Sequence, residues 1–519
     1  MPDSGPRARF EERAFSGSLA AACGFLLSVL QAFVQLPILL KFWGTESYGI
    51  WITLAAALTL INCLDVGHQT YVGNQLYRVA VNSSRRLRWV LGSAVKMSVL
   101  LGLLELLVTV VVVWTGFSGR LFGLPHDDHG ARIGLGLLTY AGYWLILGSV
   151  GGVLVRLYAA CGLFARMVVW GIILRFVQFC ALLIAAGARS APGGAVVAQC
   201  LAGLLLHVFI VADLLKSFPD LFPWWAGGRL AQGFRYFKRS IVLTFNGVLE
   251  QLSVNASVFF ISSLLGPAMI PPFAALRMIA NAITQATSIL LSPLSPELVR
   301  FHVRNEGDKV RQTIATTWWL CGFLNVGLLA LALFIEPAFA LWTRGRLTFS
   351  FSLFALLAYS TLLRSFGGPL VLYIAGLNRL REQAAVAAAR LLVTVGLGLL
   401  FLKWWEIPGM ALAIVLAEVF GSLVLPVIFV IGSLKTASER WTGAKSALAH
   451  LFTTGVVLVL AGVFPAQRTI LLCAGLLVLL VQSRFQWVSL SDDVRGRVRS
   501  VLHQRLLRFF PGRQAGRIS

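Results

Sequence analysis

The sequence predicts an all-α polytopic membrane protein of about fourteen transmembrane helices, built as two parallel halves and a C-terminal helix pair. Three observations carry that expectation. Hydrophobic residues make up 58% of the 519-residue chain and charged residues 13%, with a mean hydropathy of +0.81, whereas a soluble chain carries about 25% charge. Apolar runs of roughly 20 residues, the length a bilayer core requires, recur along the chain. One phrase also occurs twice. In the first half an apolar span ends at Gly44-Thr45-Glu46-Ser47-Tyr48-Gly49, a second span follows, and Arg78 comes after it. In the second half Gly266-Pro267 takes the place of Gly44-Thr45, and Arg300 lies as far past Gly266 as Arg78 lies past Gly44. A helical hairpin repeated once per half indicates a two-lobed protein with parallel repeats.

Taken in order, the first six spans fall near 17–40, 48–70, 90–115, 133–155, 167–187 and 194–215. Six more fall near 239–265, 270–292, 313–335, 351–375, 385–402 and 408–432, and a final pair near 448–464 and 468–487. The first run is too long for the apolar core of a cleavable signal peptide and reads as the first span. Domain boundaries follow: an N-lobe at 1–218, an inter-lobe segment at 219–238, a C-lobe at 239–434, the extra helix pair at 435–490 and a basic tail at 491–519.

Positive charge tests this segmentation. With the N-terminus inside, the cytoplasmic segments collect 31 of the 44 Lys and Arg residues, the opposite loops eight, and the spans five. Such an alternation places both termini in the cytoplasm. It also accounts for the formal charge of +23 without nucleic acid as a partner. Pro219, Pro223, Trp224, Trp225, Gly227 and Gly228 mark the inter-lobe segment, which reads either as a stretch lying at the membrane interface or as a plain linker. From Val494 onward, Val498, Val501, Leu502 and Leu506 recur at helical spacing among arginines. That pattern is an amphipathic helix against an anionic leaflet, with partner docking as the alternative.

Several chemistries find no support. The seven cysteines all lie in apolar runs without a CxxC, so they read as packing residues rather than disulfides or zinc ligands. His126-Asp127-Asp128-His129 reads as a solvated turn, since four adjacent side chains do not easily converge on a metal. No phosphate-binding GxxxxGK[ST] loop and no nucleophile–base constellation is present, so neither a nucleotide motor, a cofactor nor an enzyme activity is expected.

The hairpin LPILLKFWGTESYGIW, the Leu64-Asp65-Val66-Gly67 break with Asn74 and Arg78 after it, and the later LSPLSPELVRFHVRNEGDKVR carry a resemblance. In these the chain resembles the polysaccharide transport (O-antigen/exopolysaccharide flippase) branch of the multidrug/oligosaccharidyl-lipid/polysaccharide flippase superfamily. The resemblance covers essentially residues 15–435. It implies two six-helix lobes around a central cavity in the bacterial inner membrane. It also implies alternating access, with polyprenyl-diphosphate-linked oligosaccharide as the cargo for O-antigen, capsule or exopolysaccharide synthesis. Membrane lipids and a glycan polymerase or export machinery are the partners it implies.

Polar residues within spans supply the candidate site, because ionisable groups at bilayer depth usually face a cavity or a partner. Arg277, Asn281 and Gln285 share a stripe in span eight; Asn246 and Glu250 share one in span seven. Asn62 and Asp65 lie on one face of span two with Gln69, and Gln31 and Gln35 on one face of span one. Arg364, beside a Gly-Gly-Pro bend, and Arg390 and Arg175 are further in-span cations. Glu105 with Lys96, and Glu418, are expected to pack or to snorkel. Arg277 is the candidate contact for the lipid diphosphate, since guanidinium forks suit phosphate oxygens; an internal Arg277–Glu250 ion pair is the structural alternative. A multidrug cation antiporter of the same superfamily, for which Asp65 speaks, is one functional alternative. A lipid II flippase and, from another class, a membrane glycan polymerase or ligase are the others; no outer loop is long enough to house the chemistry of the last.

Overall fold

The computed structural model describes residues 6–80, 83–123, 128–291, 294–431, 444–489 and 495–496, and all of their regular structure is helical. The 126–129 turn and the tail helix from Val494 lie outside the described residues, but for the helical starts at 128–129 and the helical pair 495–496.

Among the described residues, eleven helical stretches are long and apolar enough to cross a membrane. Two of these are each a pair: Pro6–Ile61 breaks at Gly44 and Leu380–Glu418 at Glu406. Ile270–Leu291 adds one more, giving the fourteen spans expected. Spans 1 and 2 are the halves of Pro6–Ile61, with Cys63–Ala80 continuing span 2. Span 3 is Ser84–Trp114. Span 4 runs from Asp128–Tyr143 through a π turn, Trp144–Val150, to Gly151–Ala160. Spans 5 to 10 are Phe164–Gly187, Pro192–Ser217, Leu230–Leu265, Ile270–Leu291, Gly307–Thr343 and Phe351–Gly376. Spans 11 and 12 divide at Glu406; span 12 continues through a second π turn, Val419–Val424, into Leu425–Ile431. Spans 13 and 14 are Ala444–Val463 and Arg468–Ser489.

The repeated hairpin has a common backbone cause. Gly44 sits at φ 71°, ψ −171° and Gly266 at φ 89°, ψ 159°. That region is open essentially to glycine alone, so the chain turns in the same way at both positions the sequence repeat marks. The turns also meet: a Cβ on Gly49 would lie 1.8 Å from the Pro267 carbonyl oxygen.

The chain forms two compact units. The first holds Met1–Ala275, Ala340–Thr348 and Thr394–Met410; the second holds Leu276–Phe339, Phe349–Val393 and Ala411–Ser519. In the first, Cys63–Ala80 packs between spans 3 and 7. A core of Val72, Leu76, Val90, Leu91, Leu157 and Tyr158 reaches Leu221 and Trp224 of the inter-lobe segment. That segment is docked rather than loose. Lys96 Nζ donates to the Gly228 carbonyl at 2.5 Å, Arg88 to that of Phe222 at 2.6 Å, and Gly92 lets the backbone of Ala226 approach span 3. Trp224 is buried in this core, while Trp225 stays exposed.

In the second unit, span 10 is the most deeply set. It receives the Trp318 indole N–H on the Phe366 carbonyl and, at Gly367, the backbone of Ser422. Span 14 joins span 9 through Trp487 and Trp319, 4.6 Å between ring centroids. Span 13 packs its His450 against Gly322 of span 9 and is tied to span 14 by His450, 3.1 Å from the Ser483 hydroxyl. Leu205, Phe209, Leu392 and Phe452 are among many large apolar side chains left exposed, as a lipid solvent requires.

Candidate functional site

Among the described residues, each unit carries a cluster of charged side chains within its spans that rests on a π turn.

In the first unit the cluster is acidic. Asp65 and Glu105 are 0% and 2% exposed and interact by charge. Gln69, one helical turn beyond Asp65, donates to its Oδ2 at 2.9 Å and to the Gly148 carbonyl in the π turn at 3.1 Å. Ser149, also in that turn, donates to the Ser98 carbonyl at 2.8 Å. The extra residue of a π turn breaks the ordinary helical ladder and aims main-chain oxygens sideways, which is what lets span 4 accept from span 2. Around this floor the Asn62 amide donates to the Tyr140 hydroxyl at 2.8 Å, and Tyr140 stacks on Trp144. The Gln178 amide donates to Tyr143 at 3.2 Å. Neither oxygen of Glu105 has a hydrogen-bond partner of good geometry. A buried carboxyl pair of this kind needs a cation or a proton to offset its burial. Among the described residues no group of three His, Cys, Asp or Glu could hold a metal ion.

In the second unit the cluster is cationic. Glu418 forms ion pairs with Arg390, whose Nε lies 3.3 Å away with both side chains 6% exposed, and with Arg364 at 3.8 Å, where Arg364 is 34% exposed. Ser422 donates to Glu418 and receives Arg390 at 3.1 Å; Arg390 also reaches the Gly421 carbonyl in the second π turn at 3.5 Å. Arg277, partly exposed, interacts electrostatically with both Arg364 and Glu418. Two guanidinium groups thus pair with one carboxylate, and the charge of a third, Arg277, is felt at the same place. The innermost, Arg390, is locked by packing and hydrogen bonds; Arg277 and Arg364 present accessible faces suited to phosphate oxygens.

No protein-family model and no curated protein matches the chain. Solved structures match it by shape. The inward-facing conformation of a multidrug resistance MATE family transporter of the MOP superfamily aligns over 79% of this chain and 96% of its own, at 14% identity and a TM-score of 0.56. The lipid II flippase MurJ, in an inward closed conformation, aligns over 91% and 99%, at 14% identity and a TM-score of 0.55. An outward-facing MATE structure aligns over 84% and 98%, at 12% identity and a TM-score of 0.53. The chain has the fold of the MOP-superfamily transporters.

Within this MOP fold the sequence-derived candidates separate by unit. Asn62 and Asp65 join the acidic cluster. Arg277, Arg364 and Arg390 join the cationic one, and Asn281 and Gln285 follow Arg277 along span 8, half-buried and exposed. Asn246 and Glu250 lie half-buried on span 7 in the first unit. Gln31 and Gln35 lie half-buried on span 1, where the Gln31 amide reaches the Arg175 carbonyl at 3.5 Å. Arg175 itself is held to span 1 by donating to Ser28 at 3.0 Å.

Of the two alternatives for Glu105 and Glu418, packing and snorkelling, both side chains take the first: Glu105 is buried beside Asp65, while Lys96 is spent on the Gly228 carbonyl. Glu418 is buried too, with Arg390 and Arg364 on its carboxylate. Tyr140, Ser149 and Ser422 escaped sequence reasoning. Tyr and Ser in an apolar run carry no signal until their partners on other spans are known.

Proposed function

We propose that the protein is a flippase of the polysaccharide transport type, moving a polyprenyl-diphosphate-linked oligosaccharide across the bacterial inner membrane by alternating access. The single observation that carries this reading is the arginine cluster at membrane depth. Arg277 and Arg364, braced by Glu418 and Arg390, offer accessible guanidinium groups to a diphosphate. Asn281 and Gln285 would then bond sugar hydroxyls, with Asn246, Glu250, Gln31 and Gln35 as further polar contacts. The lobes 1–218 and 239–434 would rock about the site, with both termini cytoplasmic as the charge bias suggests. The polyprenyl tail stays in lipid, so the protein needs to shelter only the polar head. Membrane lipids and a glycan polymerase or export machinery are the expected partners.

The test uses proteoliposomes holding a fluorescent polyprenyl-diphosphate oligosaccharide. Translocation by the wild type that collapses in folded Arg277→Ala and Arg364→Ala variants supports the reading. Wild-type rates in both variants refute it.

The acidic cluster favours a second reading, a cation antiporter. Asp65 and Glu105 form a buried carboxyl pair in the first unit, the place where an exchanged or coupling cation, or a proton, would be held. Export of a lipophilic cation dye without lipid translocation would decide for this reading.

A further inference from the structure

The first unit contains a cavity unconnected with either polar cluster. It has a volume of about 300 Å³ and lies where the odd-numbered connections meet, the end that the charge bias places outside the cell. Phe42, Trp43, Ser47, Arg132, Arg189 and Ser190 line it together with the start of span 6.

Three features make it a preformed site rather than a gap between loops. The Trp43 indole N–H donates to the Ser190 carbonyl at 2.8 Å, tying the loop between spans 5 and 6 to span 1. Gly193, at the head of span 6, sits so close to span 4 that a Cβ there would lie 2.2 Å from the Arg132 carbonyl oxygen. Arg189 follows the last turn of span 5 with φ 60°, a left-handed position where glycine is the usual occupant. Its N–H and that of Ser190 close the end of span 5 on the Ala186 and Ala185 carbonyls, which fixes the backbone that carries its side chain.

The charge is informative too. The outer connections hold only eight Lys and Arg residues, and two of them line this one cavity. Both side chains are exposed, and neither guanidinium meets a carboxylate among the described residues.

We propose that this cavity binds an acidic sugar residue, a uronate or a phosphate-bearing saccharide, at the outer end of the first unit. Arg132 and Arg189 take the anionic group by charge-assisted hydrogen bonds. The faces of Phe42 and Trp43 carry negative quadrupoles that suit the C–H edges of a pyranose ring, and Ser47 and Ser190 offer hydroxyls to its polar rim. The volume lies at the small end of ligand sites, which fits one sugar residue of a longer glycan. A phospholipid headgroup would share the anionic chemistry but would have no need of the aromatic wall. The inference rests on the flippase reading for its biological sense, since it gives an emerging glycan a place to dock.

The experiment titrates the full-length protein in phosphatidylcholine nanodiscs with a hyaluronan tetrasaccharide as the acidic probe and chitotetraose as the neutral one. Arg189→Gly, which relieves the left-handed strain and so should fold, and Arg132→Gln are titrated alongside. The expected result is binding of the acidic probe, at least about tenfold weaker binding of the neutral one, and about a tenfold loss in each variant, the scale of one charge-assisted bond. Equal binding of both probes, no binding of the acidic probe, or unchanged affinity in both variants overturns the proposal. So does displacement of the saccharide by phosphatidylglycerol added to the nanodisc, which would assign the cavity to a lipid headgroup. Translocation is measured separately. A wild type that flips but does not bind the probe refutes this site alone, and one that binds but does not flip refutes the flippase reading alone.

Discussion

Glu418→Gln removes the carboxylate that pairs with Arg390 and Arg364 in the second unit, and its cost follows from the geometry. The Arg390–Glu418 pair is 3.3 Å long and almost wholly buried. Breaking such a pair leaves an uncompensated buried guanidinium, which costs about 3–5 kcal/mol. Arg364–Glu418 is longer, at 3.8 Å, and its arginine is 34% exposed, so solvent screening brings its share to about 1 kcal/mol or less. The expected order of destabilisation is therefore Glu418→Gln first and Arg390→Gln next, because Glu418 then retains Arg364. Arg364→Gln comes last, close to wild type. Equilibrium unfolding in mixed detergent micelles measures this order. The double variant Arg390→Leu/Glu418→Leu, which removes both buried charges, should recover much of the loss. Transport should rank the single variants differently, with Arg364→Gln severely impaired despite its stability. An Arg364→Gln variant as unstable as Glu418→Gln, or a Glu418→Gln variant as stable as wild type, would refute the reasoning.

Gly49→Ala should fail to give a monodisperse protein on size-exclusion chromatography, since its Cβ would enter the Pro267 carbonyl. Gly247→Ala and Gly396→Ala, with nothing within 4 Å of the added carbon, should behave as wild type. Gly92→Ala, whose Cβ would lie 2.5 Å from the Ala226 carbonyl oxygen, should loosen the inter-lobe segment and speed tryptic cleavage at the exposed Arg229 several-fold, read by gel. Asp65→Asn and Glu105→Gln should each abolish any dependence of transport on an imposed proton gradient while leaving cargo binding unchanged, as measured in proteoliposomes and by ligand titration.

The parts of this molecule that depend on local chemistry were legible in the sequence. The Gly44 and Gly266 turns were, because a glycine-only backbone leaves a glycine behind. The Asp65–Gln69 contact was as well, because residues four apart on a helix are neighbours. The arginines of the cationic cluster were visible as expensive residues in apolar runs. Their partners were not: Glu418 lies 54 positions beyond Arg364 and 28 beyond Arg390, and nothing in its own run distinguishes a hub from a snorkelling side chain. That Glu105 packs beside Asp65, 40 positions earlier, was not legible either, because sequence shows only neighbours along a helix. Neither π turn has a residue signature, since each arises from how a span meets those beside it.

The two π turns have a genetic consequence. Gln69 and Arg390 each rest on a main-chain oxygen, that of Gly148 and of Gly421. A side-chain acceptor can be erased by one codon change, but a carbonyl is present whatever residue the codon specifies. These anchor points therefore tolerate drift in amino-acid identity and are vulnerable instead to a one-residue deletion in span 4 or span 12, which would restore the ordinary helical ladder and turn the acceptor back along the helix. Related chains that have lost almost all recognisable sequence can keep such anchor points as long as the length of those two spans is preserved.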